Sequence, residues 1–186
     1  SNIEVIDNLS LDSIRVFYEL MVETRQRQGV PVYPSQFFEN LYQVFSKTNY
    51  VKLYLAYING IPAAGLICSL LNQRSIYLYG ASSSDQYLLS KRPNDFLFWH
   101  IIKDLKSQNC RELDLGVTHV NNEGLLRFKE AWGATSYPVS YINKRIKNKK
   151  HYELSRDGSF YHLVSRCIKI LPRSLYKNIS SLTMTH

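Results

Sequence analysis

The chain has 186 residues, 45% hydrophobic and 20% charged, which supplies one globular domain with a substantial core and excludes a disordered chain. A formal charge of +8 and a pI near 9.4 invite a polyanionic partner, whether nucleic acid, nucleotide, anionic lipid or sugar diphosphate. No apolar run reaches membrane-spanning length, no signal-peptide pattern appears, and Cys68, Cys110 and Cys167 lie far apart and mostly among apolar neighbours; the expectation is a cytoplasmic protein with buried thiols, no disulfide and no metal.

From Leu11 to Gln28, Leu11, Ile14, Phe17, Tyr18 and Met21 share one face of a helix that Gly29 and Pro31 stop, with Arg25, Arg27 and Tyr33 gathered around the stop. A second helix is expected from Ser35 as N-cap, with Phe37, Phe38, Leu41, Tyr42 and Phe45 as its apolar side, so two helices precede any strand. Val51 to Ile58 is rich in β-branched and aromatic residues, Asn59-Gly60 is a two-residue hairpin turn, and Ile61 to Leu71 returns as a strand. Ser75 to Gly80 makes a third strand after a turn at Asn72 to Arg74, giving an antiparallel meander.

The stretch from Arg92 to Gly133 holds the unusual polar residues. Pro93 suits the first position of a helix, Asp95 falls where the dipole favours an anion, and Leu97, Ile101 and Leu105 recur every four residues beside Phe98 and Ile102. Arg92 and the serines Ser82 to Ser84 precede this helix, so a phosphate would be welcome at its start, although ordinary helix capping accounts for the same residues. A short strand, Glu112 to Leu115, completes a crossover and leads through a polar loop to a helix at Asn122 to Ala131; a closing strand is expected at Thr135 to Ile146. On the second of these helices Leu125, Phe128 and Trp132 share one face and Lys129 lies only about 40° from its centre. Either its stem packs while the ammonium snorkels to water, or the face opens into a cleft where the cation could stabilise an oxyanion during acyl transfer.

Beyond this, Asn143 to Lys150 is a compact basic run holding Lys144, Arg145, Lys147, Lys149 and Lys150. Phe160, Leu163, Val164, Cys167, Ile168 and Leu171 then form a helical stripe, and Pro172 starts a segment with Leu175, Tyr176 and Ile179. The division expected is a domain over 1–150 and an amphipathic helical extension over 151–186, docked on the domain or on a partner, with peripheral contact to anionic lipid open to it.

Four stretches together carry a family resemblance: T-R-Q-R-Q-G-V-P-V-Y-P-S-Q-F-F at Thr24 to Phe38, R-P-N at Arg92, D-L-G-V-T at Asp114, and G-L-L-R-F-K-E-A-W-G ending at Gly133. The chain resembles the FemAB-like branch of the GNAT superfamily from about Leu11 to Arg145. The resemblance implies an α/β (α+β) GNAT-like acyl-CoA N-acyltransferase fold, a central, mostly antiparallel twisted sheet flanked by helices. It also implies transfer of an acetyl, acyl or aminoacyl group to an amine acceptor in cell-envelope or polysaccharide metabolism. By resemblance, Lys129 assists the tetrahedral intermediate and Phe128 contacts the acyl donor.

Asp114 is a second catalytic candidate, able to orient the acceptor amine or accept a proton, or simply to cap the loop after its strand. Arg92, Asn94, Ser82, Tyr79 and Thr118 complete the donor-binding candidates, with packing the alternative for Tyr79. Two departures from the family pattern matter. S-K-R-P-N stands where ordinary GNAT enzymes carry a glycine-rich pyrophosphate loop, so acyl-CoA and aminoacyl-tRNA both stay open as donors. FemAB-like proteins usually hold two such domains, so a noncatalytic half that meets a second GNAT-like domain or a homodimer partner is the alternative, and an RNA-binding module is a weaker third.

Overall fold

In the computed structural model, which describes residues 2–140, 142, 144 and 159–183, the elements follow in chain order. They are β1 (Ile3–Asp7), α1 (Leu11–Gln28), α2 (Ser35–Phe45), β2 (Val51–Ile58), β3 (Ile61–Leu71), β4 (Arg74–Ser82), α3 (Gln86–Ser90), α4 (Pro93–Ser107), β5 (Glu112–Asp114), α5 (Glu123–Ala131), α6 (Ser159–Ile170) and α7 (Arg173–Thr183). The five strands lie side by side in sequence order; β1 to β4 pair antiparallel and β5 pairs parallel to β4. The expected mostly antiparallel sheet flanked by helices is therefore present.

Strand alternation decides the layering. Leu53 and Leu55 of β2 and Ile67 of β3 point to one face, where Ile14, Phe17 and Met21 of α1 and Phe38 of α2 bury them. Tyr54 and Ala56, with Leu66 and Cys68, point to the other, where Leu97, Phe98, Ile101 and Leu105 of α4 cover them. A sheet buried on both faces is thus sandwiched between helical layers, and each large apolar side chain so enclosed contributes roughly 2 kcal/mol.

α1 is closed at both ends as its residues dictate: the Ser10 hydroxyl accepts from the Ser13 N–H at 3.1 Å, and Gly29 takes a left-handed φ of 72°. Gly29 is needed for a second reason. A Cβ there would stand 2.7 Å from the Ser165 carbonyl oxygen of α6 and closer still to its hydroxyl. Through this close approach α6 and α7 dock on α1, where Gln26 donates to the Leu171 carbonyl at 2.6 Å and Tyr176 donates to the Val30 carbonyl at 2.7 Å. Ile168 and Tyr176 join the core beneath.

Several expectations need correction. A strand, β1, precedes the first helix: Ile3-Glu4-Val5-Ile6-Asp7 pairs with β2 from Ile3↔Ile58 to Asp7↔Tyr54, and its two carboxylates, Glu4 and Asp7, suit an edge. Ser35 is the first residue of α2 rather than its cap; Pro34 holds the cap position without a side-chain hydrogen bond. The five-residue α3 was not expected; Asp85 caps it by accepting from the Leu88 N–H. Residues 135–140 are not in a strand, and the rest of the expected closing strand, like the basic run 143–150, lies outside the described residues apart from 142 and 144. Only Cys68 is fully buried, which pushes its thiol up to about 11; Cys110 is half-buried and Cys167 exposed, because α6 docks through Ile168 and leaves Cys167 facing outward.

Candidate active site

The parallel ladder between β4 and β5 has three rungs, ending at Ile76↔Asp114. Just beyond that last rung the β3–β4 register slips: Cys68 faces Tyr77 and Ile67 faces Tyr79, which leaves Leu78 as an extra residue. A bulge of this kind bends and twists its strand, here where the neighbour β5 ends. Between the diverging backbones opens a recess of about 720 Å³, lined by residues 77–80 on one side and 115–119 on the other. Phe98 and the α5 residues Leu125, Phe128 and Lys129 line it as well, and Met21, Thr24, Arg25 and Gln28 of α1 face it.

Lys129 is half-buried at this recess and donates from Nζ to the Gly116 carbonyl at 2.6 Å. Gly116 adopts a left-handed φ of 70°, fixed by its N–H donating to Asp114 Oδ1 at 2.7 Å, the local turn that aspartate favours. Asp114 thus shapes the loop whose carbonyl holds the lysine. Its own side chain is exposed and not part of the lining. Desolvation pushes the Lys129 ammonium below the ordinary lysine range, with the Asp114 carboxylate opposing that shift. One N–H serves Gly116, leaving two ammonium protons for another acceptor.

Phe128 meets Phe98 edge-on at 5.5 Å between centroids and lines the same recess. Tyr79 both lines it and packs against Tyr33, Phe37 and Phe38, and burial raises its phenol. The Thr118 hydroxyl, also in the lining, is shut off from solvent and has no hydrogen-bond partner among the described residues, a costly state that a bound polar group would relieve.

Three donor-binding candidates stand apart. Ser82 is buried but tied to α1: its hydroxyl accepts from Arg27 at 2.9 Å and its N–H donates to Thr24 Oγ1 at 2.8 Å. Arg92, its side chain 80% exposed, pairs with Asp95 at 2.6 Å, and Asn94 faces solvent. None of the three lines the recess. The serine run is not an open anion site either. Glu23 Oε2 accepts from the Ser84 N–H at 2.6 Å, from its hydroxyl at 2.8 Å and from the Ser83 hydroxyl at 3.3 Å, while Oε1 meets Arg173 at 3.0 Å. Burial works against that charge, but the Ser84 and Arg173 interactions outweigh it and hold the carboxyl below its usual range.

Arg25 and Gln28 were not expected in the lining, yet a signal was there. Met21, Thr24, Arg25 and Gln28 follow the three-and-four spacing of one helix face, so the stripe that is apolar at Ile14 and Phe17 turns polar as it reaches the recess. His119 lines the recess too, with Nδ1 accepting from the Asn121 N–H at 3.3 Å. A second recess, of about 660 Å³ between α1, α2 and α7, is lined by Ile14, Val16 and Tyr18, by the Lys177–Glu19 ion pair, and by Arg15, Ser35, Glu39, Asn178 and Ser181.

A family model described as the acetyltransferase (GNAT) domain matches residues 3–130. The chain belongs to this GNAT family. Among curated proteins, lipid II:glycine glycyltransferase of Staphylococcus haemolyticus is 29% identical over 108 residues, which are 54% of this chain and 23% of that protein. The match thus spans less than a quarter of the relative's length. It supports the FemAB-like kinship read from the motifs. Solved structures share the GNAT fold: a transcriptional regulator from Bacillus halodurans has a TM-score of 0.59 at 14% identity, covering 77% of this chain and 100% of that one. The aminoglycoside acetyltransferase AAC(6')-Iy, in complex with a coenzyme A bisubstrate analogue, has a TM-score of 0.58 at 14% identity, with coverages of 78% and 99%. The ribosomal-protein-alanine N-acetyltransferase of Brucella melitensis has 0.55 at 14%, with 77% and 100%. Such identities establish the GNAT fold alone. Among the described residues this GNAT domain has no cluster of three or more metal-ligating side chains, and no helix long and apolar enough to cross a membrane.

Proposed function

We propose that this GNAT domain is an N-acyltransferase whose reaction takes place where β4 and β5 diverge, with Lys129 as the electrostatic catalyst. The amine nitrogen of the acceptor attacks the donor carbonyl carbon, the oxygen gains negative charge, and the ester or thioester bond then breaks while the amine loses a proton to the medium. Lys129 is the group suited to that oxyanion: it stands beside the recess, is held by the Gly116 carbonyl, and keeps two donors free. This is the observation that carries the reading. Asp114 acts as a positioning residue through the Gly116 turn. Phe128, Tyr79 and Thr118 are the donor-side wall, and Arg92, Asn94 and Ser82 act at most through the surrounding loops.

An aminoacyl ester carried on tRNA is the donor we favour over acyl-CoA, because Glu23 occupies the hydrogen-bond donors of Ser83 and Ser84 and would repel a diphosphate there. Arg25 and Gln28, which line the same recess as Lys129, form the acceptor side, suited to an amine-bearing envelope precursor that also carries an anionic group. Both donor classes are made in the cytoplasm, where we place the reaction. We take 1–150 as the catalytic domain, in keeping with a family match that ends at residue 130, and 151–186 as an extension whose helices α6 and α7 dock on it. A second reading draws on the length of the glycyltransferase relative: the domain would be one half of a tandem or paired assembly and complete its acceptor cleft with another GNAT-like unit.

Incubating the protein with an amine-bearing envelope precursor and, separately, glycyl-tRNA or acetyl-CoA tests the main reading, with acylated product followed by mass spectrometry. Product from glycyl-tRNA is expected. Product from acetyl-CoA alone would reverse the donor assignment, and none from either would leave the tandem reading.

A further inference from the structure

α6 and α7 touch the domain by only one side each. On α6 the docked side holds Ile168 and Leu171; on α7 it holds Tyr176 and Ser180. Roughly 100° further round each helix runs a second apolar strip that no other described residue covers. Leu163 and Ile170, 60% and 83% exposed, flank Cys167 on α6, while Leu175 and Ile179 of α7 are 46% and 40% exposed. Isolated exposed aliphatic residues are ordinary, but a strip repeated in the same place on two successive helices is a surface kept free for something.

Charge identifies what that is. Of the 23 basic and 15 acidic side chains, 10 and 2 fall in residues 140–186, so the last 47 residues carry the whole net charge of +8 and the first 139 are balanced. Within 159–183 no Asp or Glu occurs. Arg173 and Lys177 are spent on Glu23 and Glu19 of α1, but Arg166, beside the α6 strip, and Lys169, one turn on with its stem near Gly29, are exposed and meet no carboxylate among the described residues. Aliphatic side chains beside cations, on helices that lie along the surface, match the boundary between anionic headgroups and acyl chains. A nucleic acid would engage the two cations and leave Leu163, Ile170, Leu175 and Ile179 in water.

We propose that α6 and α7 form a membrane-docking face that seats this domain on an anionic lipid surface. The aliphatic strips enter the headgroup boundary, and Arg166 and Lys169 contact the headgroups. None of these residues lines the recess, so the proposal stands apart from acyl transfer. For a lipid-borne acceptor it would turn the search for substrate into one over a surface.

Flotation of the full chain with vesicles of phosphatidylcholine and phosphatidylglycerol is the test. Wild-type protein rises with the mixed vesicles at low salt and stays behind with pure phosphatidylcholine. The double variant Leu163→Glu/Ile170→Glu, changed only at exposed positions, loses co-flotation with its thermal midpoint kept, and Arg166→Gln/Lys169→Gln binds about tenfold more weakly. The proposal fails if wild type does not float, or if the glutamate variant floats as wild type does. It also fails if the glutamate substitutions convert a dimer to a monomer, which would make the face an interface between copies, or if they abolish tRNA retention while vesicle binding persists.

Discussion

Replacing Gly29 with alanine should loosen α6 and α7 from the domain, and two separate costs set the size of the effect. Gly29 sits at φ 72°, where a β-carbon costs about 1 kcal/mol. The new methyl would also stand 2.7 Å from the Ser165 carbonyl oxygen and 3.0 Å from Lys169 Cε. The Ser165 hydroxyl and the Lys169 stem can swing aside, but the carbonyl is helix backbone and moves only if α6 does. Overpacking against such a neighbour costs roughly 1–3 kcal/mol. Any retreat of α6 also stretches the Gln26 bonds to the Ile168 and Leu171 carbonyls and begins to uncover Ile168. A loss of about 2–4 kcal/mol would lower the thermal midpoint by roughly 5–12 °C in a chain of this size. Hydrogen exchange should locate the change, with protection lost across residues 159–183 and kept in the β2 and β3 amides. A Gly29→Ala protein that melts within about 1 °C of wild type and protects α6 equally would refute the docking geometry.

Away from the site, Lys52, Tyr54 and Gln108 converge on Asp104 Oδ2 at 3.1, 2.6 and 2.6 Å. Burial pushes that carboxyl up, but the Tyr54 and Lys52 hydrogen bonds outweigh it and hold it below the usual carboxylate range. Its contribution to stability is therefore complete above about pH 4, where the unfolded carboxyl titrates, and disappears as pH falls through the lower folded value. Asp104→Asn should be roughly 2 kcal/mol less stable at neutral pH and show a shallower acid limb in urea titrations; equal acid limbs would contradict the assignment. Asp114→Asn keeps an oxygen for the Gly116 N–H but removes the charge that opposes the downward shift of Lys129. The alkaline limb of kcat against pH should then move to lower pH, and an unmoved limb would deny the coupling. Thr118→Val removes a buried hydroxyl that has no partner among the described residues, so the fold should be as stable or more so while the apparent KM rises about tenfold; calorimetric unfolding and steady-state rates separate the two effects.

The β2–β3 meander and α4 were legible because their signals are local: Asn59-Gly60 closes a hairpin, Pro93 opens a helix, and the apolar periods are long. β1 escaped because Ile3–Asp7 is short, carries two carboxylates and becomes a strand only by pairing with β2, some fifty residues on, a partnership that no local pattern announces. Residues 135–140 carry alternation that fits a strand but lack one in the structure. At the candidate site, Lys129, Phe128, Tyr79 and Thr118 line one recess. Arg92, Asn94 and Ser82 do not, because a motif near a helix start fixes residue type but not direction: Arg92 turns to Asp95 and Ser82 to Arg27. That Glu23 would fill the donors of the serine run could not be read from spacing, since α1 and the loop stand some sixty residues apart and come into contact only once the sheet has formed.

The central claim is that the Lys129 ammonium stabilises charge that appears during the reaction and contributes little to holding the donor. Measuring kcat together with the dissociation constant of glycyl-tRNA for Lys129→Ala separates the two. The account predicts a kcat reduced about 10²–10³-fold and a dissociation constant within about twofold of wild type. Wild-type turnover in the variant, or a loss confined to donor binding, would contradict it.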